Sequence, residues 1–128
     1  MSVTNVKALT SDPEWKTATV LSPFKLYATG QNPAQYMKRN GTVYLKGVVS
    51  PASDLTYSQD GRTIFKLPEG YRPTKIWYNI CQGSGRARWL LQVTYDGLVQ
   101  FARYCDNTTQ TATKDSWLPL CFSFPAEQ

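Results

Sequence analysis

The sequence predicts an all-β domain, an antiparallel β-sandwich of jelly-roll-like type. Three dipeptides, Asn40-Gly41, Asp60-Gly61 and Asp96-Gly97, lie between β-rich flanks, and these residue types tolerate the positive φ angles of tight hairpin turns. Eight Pro and eight Gly separate short β-branched and aromatic segments, a pattern typical of sandwiches rather than of βαβ units. No stretch of the sequence has the 3.6-residue period of an amphipathic helix.

The N-terminal half predicts two short strands and a hairpin. Residues 15–21 and 24–29 are β-branched or aromatic and are bounded by turn residues. The segment QYMKRNGTVYLKGVV, residues 35–49, predicts a hairpin that turns at its Asn-Gly dipeptide, with Gly47 at a bulge or a close backbone approach. The residues expected on its inner face are Val43, Leu45 and Val49.

The C-terminal half predicts a second hairpin and three further strands. The segment WLLQVTYDGLVQFARYC, residues 89–105, turns at its Asp-Gly dipeptide. Strands are also expected at residues 63–67, 75–82 and 117–124. One face of the hairpin is expected to carry Trp89, Leu91, Val93 and Tyr95 before the turn; after it, Val99, Phe101, Arg103 and Cys105 alternate with Leu98, Gln100, Ala102 and Tyr104.

Length and composition fit a single globular domain. The 128 residues match the usual size of one domain, and 41% hydrophobic residues supply enough apolar material for a core. We divide the chain into an N-terminal arm or linker (1–13), the sandwich domain (14–125) and a short tail (126–128). The N-terminus lacks a signal-peptide pattern and no segment is apolar enough to span a bilayer, so no membrane insertion is expected.

The ionisable residues exclude most catalytic and metal chemistry. Histidine is absent, which removes the commonest general base, the Ser-His and Cys-His pairs and the usual metal ligands. Three cysteines without CxxC spacing indicate neither a disulfide framework nor a zinc site, and we expect mostly buried thiols. Most acidic residues occupy turns, so a weak glycan hydrolase built on paired aspartates is only an alternative. The sequence predicts no enzyme activity, no metal and no cofactor.

Aromatic and arginine side chains form the candidate ligand site. The net charge of +5 favours acidic partners, and four Trp, eight Tyr and five Phe supply rings that can stack on the apolar faces of sugars. Arginine forks bind phosphate or carboxylate groups. A groove is expected between the loops around residues 82–88 and 103–115. The predicted ligand-binding residues are Trp77, Arg86, Arg88, Trp89, Arg103 and Tyr104.

Single-stranded nucleic acid is the less favoured ligand for these residues. It would use the same stacking rings and cations. Readers of the OB type, however, concentrate those residues on adjacent strands, whereas here they are dispersed along the chain. The sequence therefore predicts no nucleic-acid partner.

The segment IFKLPEGYRPTK, residues 64–75, resembles a signature of phage proteins. The signature, IF-x-LPEGYRPSK, recurs in C-terminal receptor-binding head domains of baseplate and tail-fibre proteins from tailed phages and prophages of Gram-positive bacteria. The similarity spans about residues 14–124. Three further segments agree in the same order: QYMKRNGTVYLKGVV resembles V-x-YRKVNGVVYLRG, QVTYDGLVQF resembles I-x-I-x-x-DG-x-V, and SWLPLCFSF resembles W-V-S-L-x-x-ISF.

The resemblance implies a non-catalytic, host-adhesion function. Domains of this family are all-β, commonly homotrimeric, and bind a cell-wall polysaccharide or teichoic-acid-like polymer of the host. The chain is then expected in the virion, beside other tail or baseplate proteins, after synthesis in the host cytoplasm and release by lysis. Leu67 to Pro73 is expected to be scaffold, and ligand choice is expected in the loops GSGRARW and CDNTTQTATKD. The alternative is a structural trimerisation or capping domain whose aromatic residues are buried between subunits.

Overall fold

The described part of the chain consists of strands and connecting loops. The computed structural model describes residues 14–27, 32–56, 61–105 and 111–126. No helix forms within these ranges, and hence none that could cross a membrane. The prediction of an all-β, antiparallel fold is confirmed. The strands are β1 (Lys16–Thr17), β2 (Phe24–Leu26), β3 (Gln35–Arg39), β4 (Thr42–Lys46), β5 (Val48–Pro51), β6 (Arg62–Lys66), β7 (Trp77–Gln82), β8 (Arg88–Val93), β9 (Leu98–Cys105), β10 (Leu118–Pro119) and β11 (Phe122–Pro125).

The strands pair into three antiparallel sheets that pack in two layers. One layer is the sheet β6-β9-β8-β7, and the other combines the sheets β1-β3-β4-β11 and β10-β5-β2. Aromatic contacts join the layers: the rings of Phe24 and Phe101 have centroids 5.6 Å apart, and those of Tyr36 and Phe65 are stacked at 6.4 Å. These contacts bury apolar area from both layers in one core, as the predicted sandwich requires.

Both predicted hairpins form at their predicted turns. Asn40 and Gly41 connect β3 to β4 with φ angles of 50° and 79°, the positive values for which this dipeptide is suited. In the turn between β8 and β9, the Gly97 amide donates to the Thr94 carbonyl at 2.9 Å, and Gly97 has a φ of 89°. The Asp96 carboxylate accepts a hydrogen bond from the Thr94 hydroxyl, which lowers the pKa of Asp96. The turn chemistry visible in the sequence therefore sets both registers.

Gly47 is the point at which the chain passes from one sheet of the second layer to the other. It has a φ of 118°, and a Cβ placed on it would lie 2.5 Å from the carbonyl oxygen of Pro33. The predicted close backbone approach is confirmed, and only glycine leaves room for it. Before and after this point, the predicted inner-face residues are buried; they are Val43, Leu45 and Val49.

The C-terminal segment forms two short strands rather than the single strand expected at 117–124. β10 pairs with β5, whereas β11 pairs with β4, so the chain changes sheets between the two strands. The Leu120 amide donates to the Gly47 carbonyl at 2.9 Å. The sheet change between β10 and β11 therefore lies next to the sheet change between β4 and β5. A segment that crosses between two sheets cannot keep one uninterrupted ladder.

The N-terminal strands are shorter than expected. Of residues 15–21 only Lys16–Thr17 pairs as a strand, and of residues 24–29 the strand covers Phe24–Leu26. The expected arm at 1–13, Asp60 of the third turn dipeptide and the last two residues lie outside the described residues. Ala126 is buried and its amide donates to the Gly41 carbonyl at 2.8 Å, so packing continues one residue past the boundary expected at 125.

The LPEGYRP segment supports the fold through its hydrogen bonds and one ring contact. Arg72 Nε donates to the Leu67 carbonyl at 2.9 Å, and Lys38 Nζ donates to the Gly70 carbonyl at 2.7 Å. Gly70 has a φ of 91°, as its expected tight bend requires, and the Tyr71 ring packs edge-on against Tyr36. These contacts agree with a scaffold role for the segment.

Replacing Gly47 with alanine is expected to destabilise the fold by about 3 kcal/mol, because the new Cβ meets backbone atoms and the φ angle is unfavourable. Gly85→Ala is the matched control: Gly85 also has a positive φ, 62°, but no atom lies within 4 Å of the point that a Cβ would occupy there, so we expect a loss of about 1 kcal/mol. Urea denaturation of both variants at one protein concentration measures the difference. Equal losses would contradict the proposed backbone contact.

Candidate functional site

Three of the six predicted ligand-binding residues line one surface cavity. Arg88, Trp89 and Arg103 border a cavity of about 250 Å³ together with Ile80 and Leu90. We call this cavity the arginine pocket. The arginine pocket lies on the sheet β6-β9-β8-β7.

The strand pairing places Arg88 on the outer face of this sheet. Arg88 is the first residue of β8 and pairs with Gln82 of β7 and Cys105 of β9. Side chains alternate between the faces along β8, so Arg88 and Leu90 point away from the core while Trp89 points into it. Ile80 of β7 lies directly opposite Leu90, which puts an apolar surface beside the guanidinium group.

A β-bulge places Arg103 beside Arg88. Leu90 pairs with Ala102 and Arg88 pairs with Cys105, so two steps along β8 match three steps along β9. The extra residue disrupts the ladder locally, and Arg103 adopts a positive φ of 54°. Without the bulge, alternation from Phe101 would turn Arg103 into the core. The bulge therefore exposes this guanidinium group.

The same bulge corrects the expectation for Tyr104, and the core corrects the expectation for Trp89. Their side chains are 4% and 1% exposed, and both pack against Phe101, with ring centroids 6.0 Å and 5.4 Å from its ring. Buried rings cannot offer their faces to a sugar in this conformation. Trp89 Nε1 has no hydrogen-bond partner among the described residues, although Trp89 borders the arginine pocket.

Trp77 and Arg86 are exposed but do not line the arginine pocket. Trp77 begins β7 and Gln82 ends it, so Trp77 lies about 17 Å along the strand from the residue that pairs with Arg88. Arg86 lies in the turn between β7 and β8, where the Ala87 amide donates to the Ser84 carbonyl at 3.1 Å. Arg86 is therefore near the pocket in sequence, while Trp77 belongs to another part of the surface.

Sequence reasoning did not identify two exposed apolar side chains near this region. Ile80 is 75% exposed and lines the arginine pocket. Trp117 is partly exposed, and its amide donates to Ser84 Oγ at 2.8 Å, which fixes its backbone beside the turn that carries Arg86. Side chains alternate between the two faces along β7, so a buried Cys81 would have predicted that the neighbouring Ile80 is exposed. No local pattern indicated Trp117.

The arginine pocket carries two positive charges on its lining. Neither Arg88 nor Arg103 forms an ion pair with a described residue; the ion pair within the described ranges joins Lys25 to Asp115. No carboxylate occurs among the described residues that line the pocket. Two guanidinium groups beside an apolar surface can bind a phosphate or carboxylate group that is attached to a less polar unit.

The described residues contain no group of three or more metal-ligating side chains. The described residues that line the arginine pocket include two arginines and no carboxylate. Their side chains can hold and orient an anionic group.

The fold is shared with a solved phage protein domain. The chain is similar to the head domain of phage bIL170, from a crystal structure that addresses whether the receptor-binding domains of lactococcal phages share a common fold. The TM-score is 0.65 at 13% sequence identity, and the match covers 90% of this chain and 99% of that chain. This identity establishes a likeness of fold alone. No protein-family model and no curated protein matches the chain.

Arg103→Gly is expected to leave the free energy of unfolding unchanged or to raise it by about 1 kcal/mol, because glycine accepts the positive φ of the bulge. Arg103→Val is expected to lower it by about 2 kcal/mol, since a branched Cβ is strained there. The control is Arg88→Val, because Arg88 lies in a β-strand without a positive φ; its free energy of unfolding is expected to change by no more than about 0.5 kcal/mol. Thermal unfolding of the three variants tests the bulge; equal effects of valine at both positions would contradict it.

Proposed function

We propose that this chain is the receptor-binding head domain of a phage tail or baseplate protein. In this proposal it adheres to a cell-wall saccharide or teichoic-acid-like polymer of a Gram-positive host and does not cleave it. The observation that carries the proposal is the match to the phage bIL170 head domain, which extends over nearly the whole of both chains. The LPEGYRP resemblance, found independently in the sequence, supports the same function.

The arginine pocket supports an anionic polymer as the ligand. Arg88 and Arg103 offer two forked donors, and the polymer classes proposed here carry phosphate or carboxylate groups. Ile80 and Leu90 provide an apolar surface for the carbon skeleton beside the charged group. Arg86 lies two residues before Arg88 and, with the chain's excess of positive charge, would favour the approach of such a polymer.

Repetition of the site would strengthen binding. We propose a homotrimer attached to other tail or baseplate proteins of the virion, made in the host cytoplasm and released by lysis. Three copies of a weak pocket on one particle raise the overall affinity for a repeating polymer, since the later contacts form at a high effective concentration. A shallow site with two principal cations is compatible with binding of this kind.

A structural function is the second candidate, favoured by the apolar surface of β7. Trp77, Tyr78 and Ile80 are all exposed on this edge strand. Exposed apolar side chains clustered on one strand are typical of surfaces that become covered. A trimerisation or capping domain would bury them between subunits and would bind no wall polymer.

Binding to isolated cell walls tests the proposed function. The fluorescently labelled protein is expected to sediment with walls from some Gram-positive strains, and stripping of teichoic acid and polysaccharide is expected to abolish this. The double variant Arg88→Ala/Arg103→Gly is expected to lose about tenfold in affinity per guanidinium, because a charge-assisted hydrogen bond contributes about 1.5 kcal/mol. Arg39→Ala is the control for each of the single variants Arg88→Ala and Arg103→Gly, since it also removes one positive charge, from an exposed strand end outside the pocket.

Two results would count against this function. Equal losses in Arg39→Ala and in each of the single variants Arg88→Ala and Arg103→Gly would show that net charge rather than the pocket drives binding. Absence of binding to every wall, by a protein whose assembly has been verified by light scattering, would favour the structural candidate.

A further inference from the structure

A second pocket lies on the other layer of the sandwich. Its volume is about 300 Å³, and it lies where β4 passes into β5. We call it the amide pocket. Its lining includes Asn32, Gln35, Lys46, Gly47, Val48 and Cys121.

Backbone contacts build the floor of the amide pocket. The Val48 amide donates to the Asn32 carbonyl at 3.0 Å, and the Leu120 amide donates to the Gly47 carbonyl at 2.9 Å. The contact of Gly47 with the Pro33 carbonyl brings these segments as close as backbone atoms allow. Because main-chain hydrogen bonds hold all three segments, the pocket is formed before any ligand arrives.

The polar side chains of the amide pocket are available for a ligand. Within the described residues, the side-chain amides of Asn32 and Gln35 make no hydrogen bond. Lys46 lies across the ladder from Gln35, and its ammonium group is 4.1 Å from the centre of the Trp15 ring. The lining residues that the structure describes include no carboxylate. The pocket thus combines one cation and two amides that make no hydrogen bond to the described residues with a neighbouring, half-buried indole.

We propose that the amide pocket binds a neutral polyhydroxylated unit, a single sugar residue. Each amide presents a donor and an acceptor, and a hydroxyl group is likewise both, so Asn32 and Gln35 match adjacent hydroxyls. The Lys46 ammonium group adds donors to ring or hydroxyl oxygens. An anion would find one cation here and two in the arginine pocket. The inference rests on the proposed function for the source of the sugar, a wall polymer, and it adds a second subsite with different chemistry.

Cys121 provides a direct reporter of occupancy. It is exposed on the wall of the amide pocket, contrary to the expectation of mostly buried thiols, whereas Cys81 is buried and Cys105 is half-buried. Burial raises the pKa of Cys81 to about 11, so at about pH 8 only about a thousandth of this thiol is the reactive thiolate. In a Cys105→Ser background, alkylation by iodoacetamide therefore reports Cys121.

The test measures the alkylation rate of Cys121 with glucose, galactose, rhamnose or N-acetylglucosamine present. At least one sugar at about 10 mM is expected to slow the reaction about tenfold, as a site with a Kd of about 1 mM would be mostly filled. Inorganic phosphate at the same concentration is expected to leave the rate unchanged. Protection by phosphate equal to that by the sugars would overturn the proposed selectivity.

Two amide variants identify the residues involved. Asn32→Gly keeps the backbone, because Asn32 has a positive φ of 46°, and Gln35→Ala removes the second amide; both are expected to abolish protection. Gln82→Ala is the control, since it removes an amide that does not line this pocket and is expected to retain protection. Protection that survives in both Asn32→Gly and Gln35→Ala would overturn the assignment.

The outcome is separable from that of the proposed function. If no sugar protects Cys121 while walls still bind through Arg88 and Arg103, the second subsite is wrong and the receptor-binding function stands. If a sugar protects Cys121 but no wall retains the protein, the amide pocket stands and its assignment to a wall polymer is wrong.

Discussion

The one-residue bulge in β9 at Arg103 is the constraint on which both the core and the arginine pocket depend. On its N-terminal side, alternation turns Phe101 inward; on its C-terminal side, it turns Tyr104 inward as well, so the two rings pack together. With Phe101 turned inward, a regular strand would point Arg103 into the core and Tyr104 out of it, and an unpaired buried guanidinium is far more costly than one strained backbone residue. The local strain at Arg103 is therefore offset by the packing it permits. The same displacement brings its side chain beside Arg88.

In the other layer of the sandwich, Gly47 is the residue that imposes the corresponding constraint. At Gly47 the chain passes from one sheet to the other, and the adjacent C-terminal segment makes the same change at Leu120. The passage at Gly47 requires main-chain contact with Pro33. Both irregularities lie beneath a pocket. Bulges and close backbone approaches commonly re-aim side chains in this way, because they interrupt a ladder without unfolding it. The rigid parts of the sandwich thus determine where the two pockets lie, and the side chains around them determine the chemistry of each pocket.

The two pockets differ in the chemistry they offer. The arginine pocket presents charge next to an apolar surface, while the amide pocket presents neutral donors and acceptors beside one ammonium group. A polymer with charged and uncharged units would be distinguished by both. The most recognisable stretch of the chain, by contrast, has its polar groups engaged internally: Arg72 binds the Leu67 carbonyl and Gly70 accepts from Lys38. A segment whose hydrogen bonds are used within the fold is suited to support a site, not to form one.

The sequence by itself determined the all-β class, both hairpins, their turn residues and the close approach at Gly47. These follow from local rules: period-two alternation, and dipeptides that accept positive φ. It also named Arg88 and Arg103 as candidate ligand-binding residues, because arginine forks bind phosphate or carboxylate groups. Only the tertiary structure decided that Trp89 is core and that Ile80 is surface. Alternation predicts which residues share a face of a strand, but the packing of distant strands decides which of the two faces is covered by another layer. A β-bulge reverses the alternation, and the composition of the sequence does not reveal it.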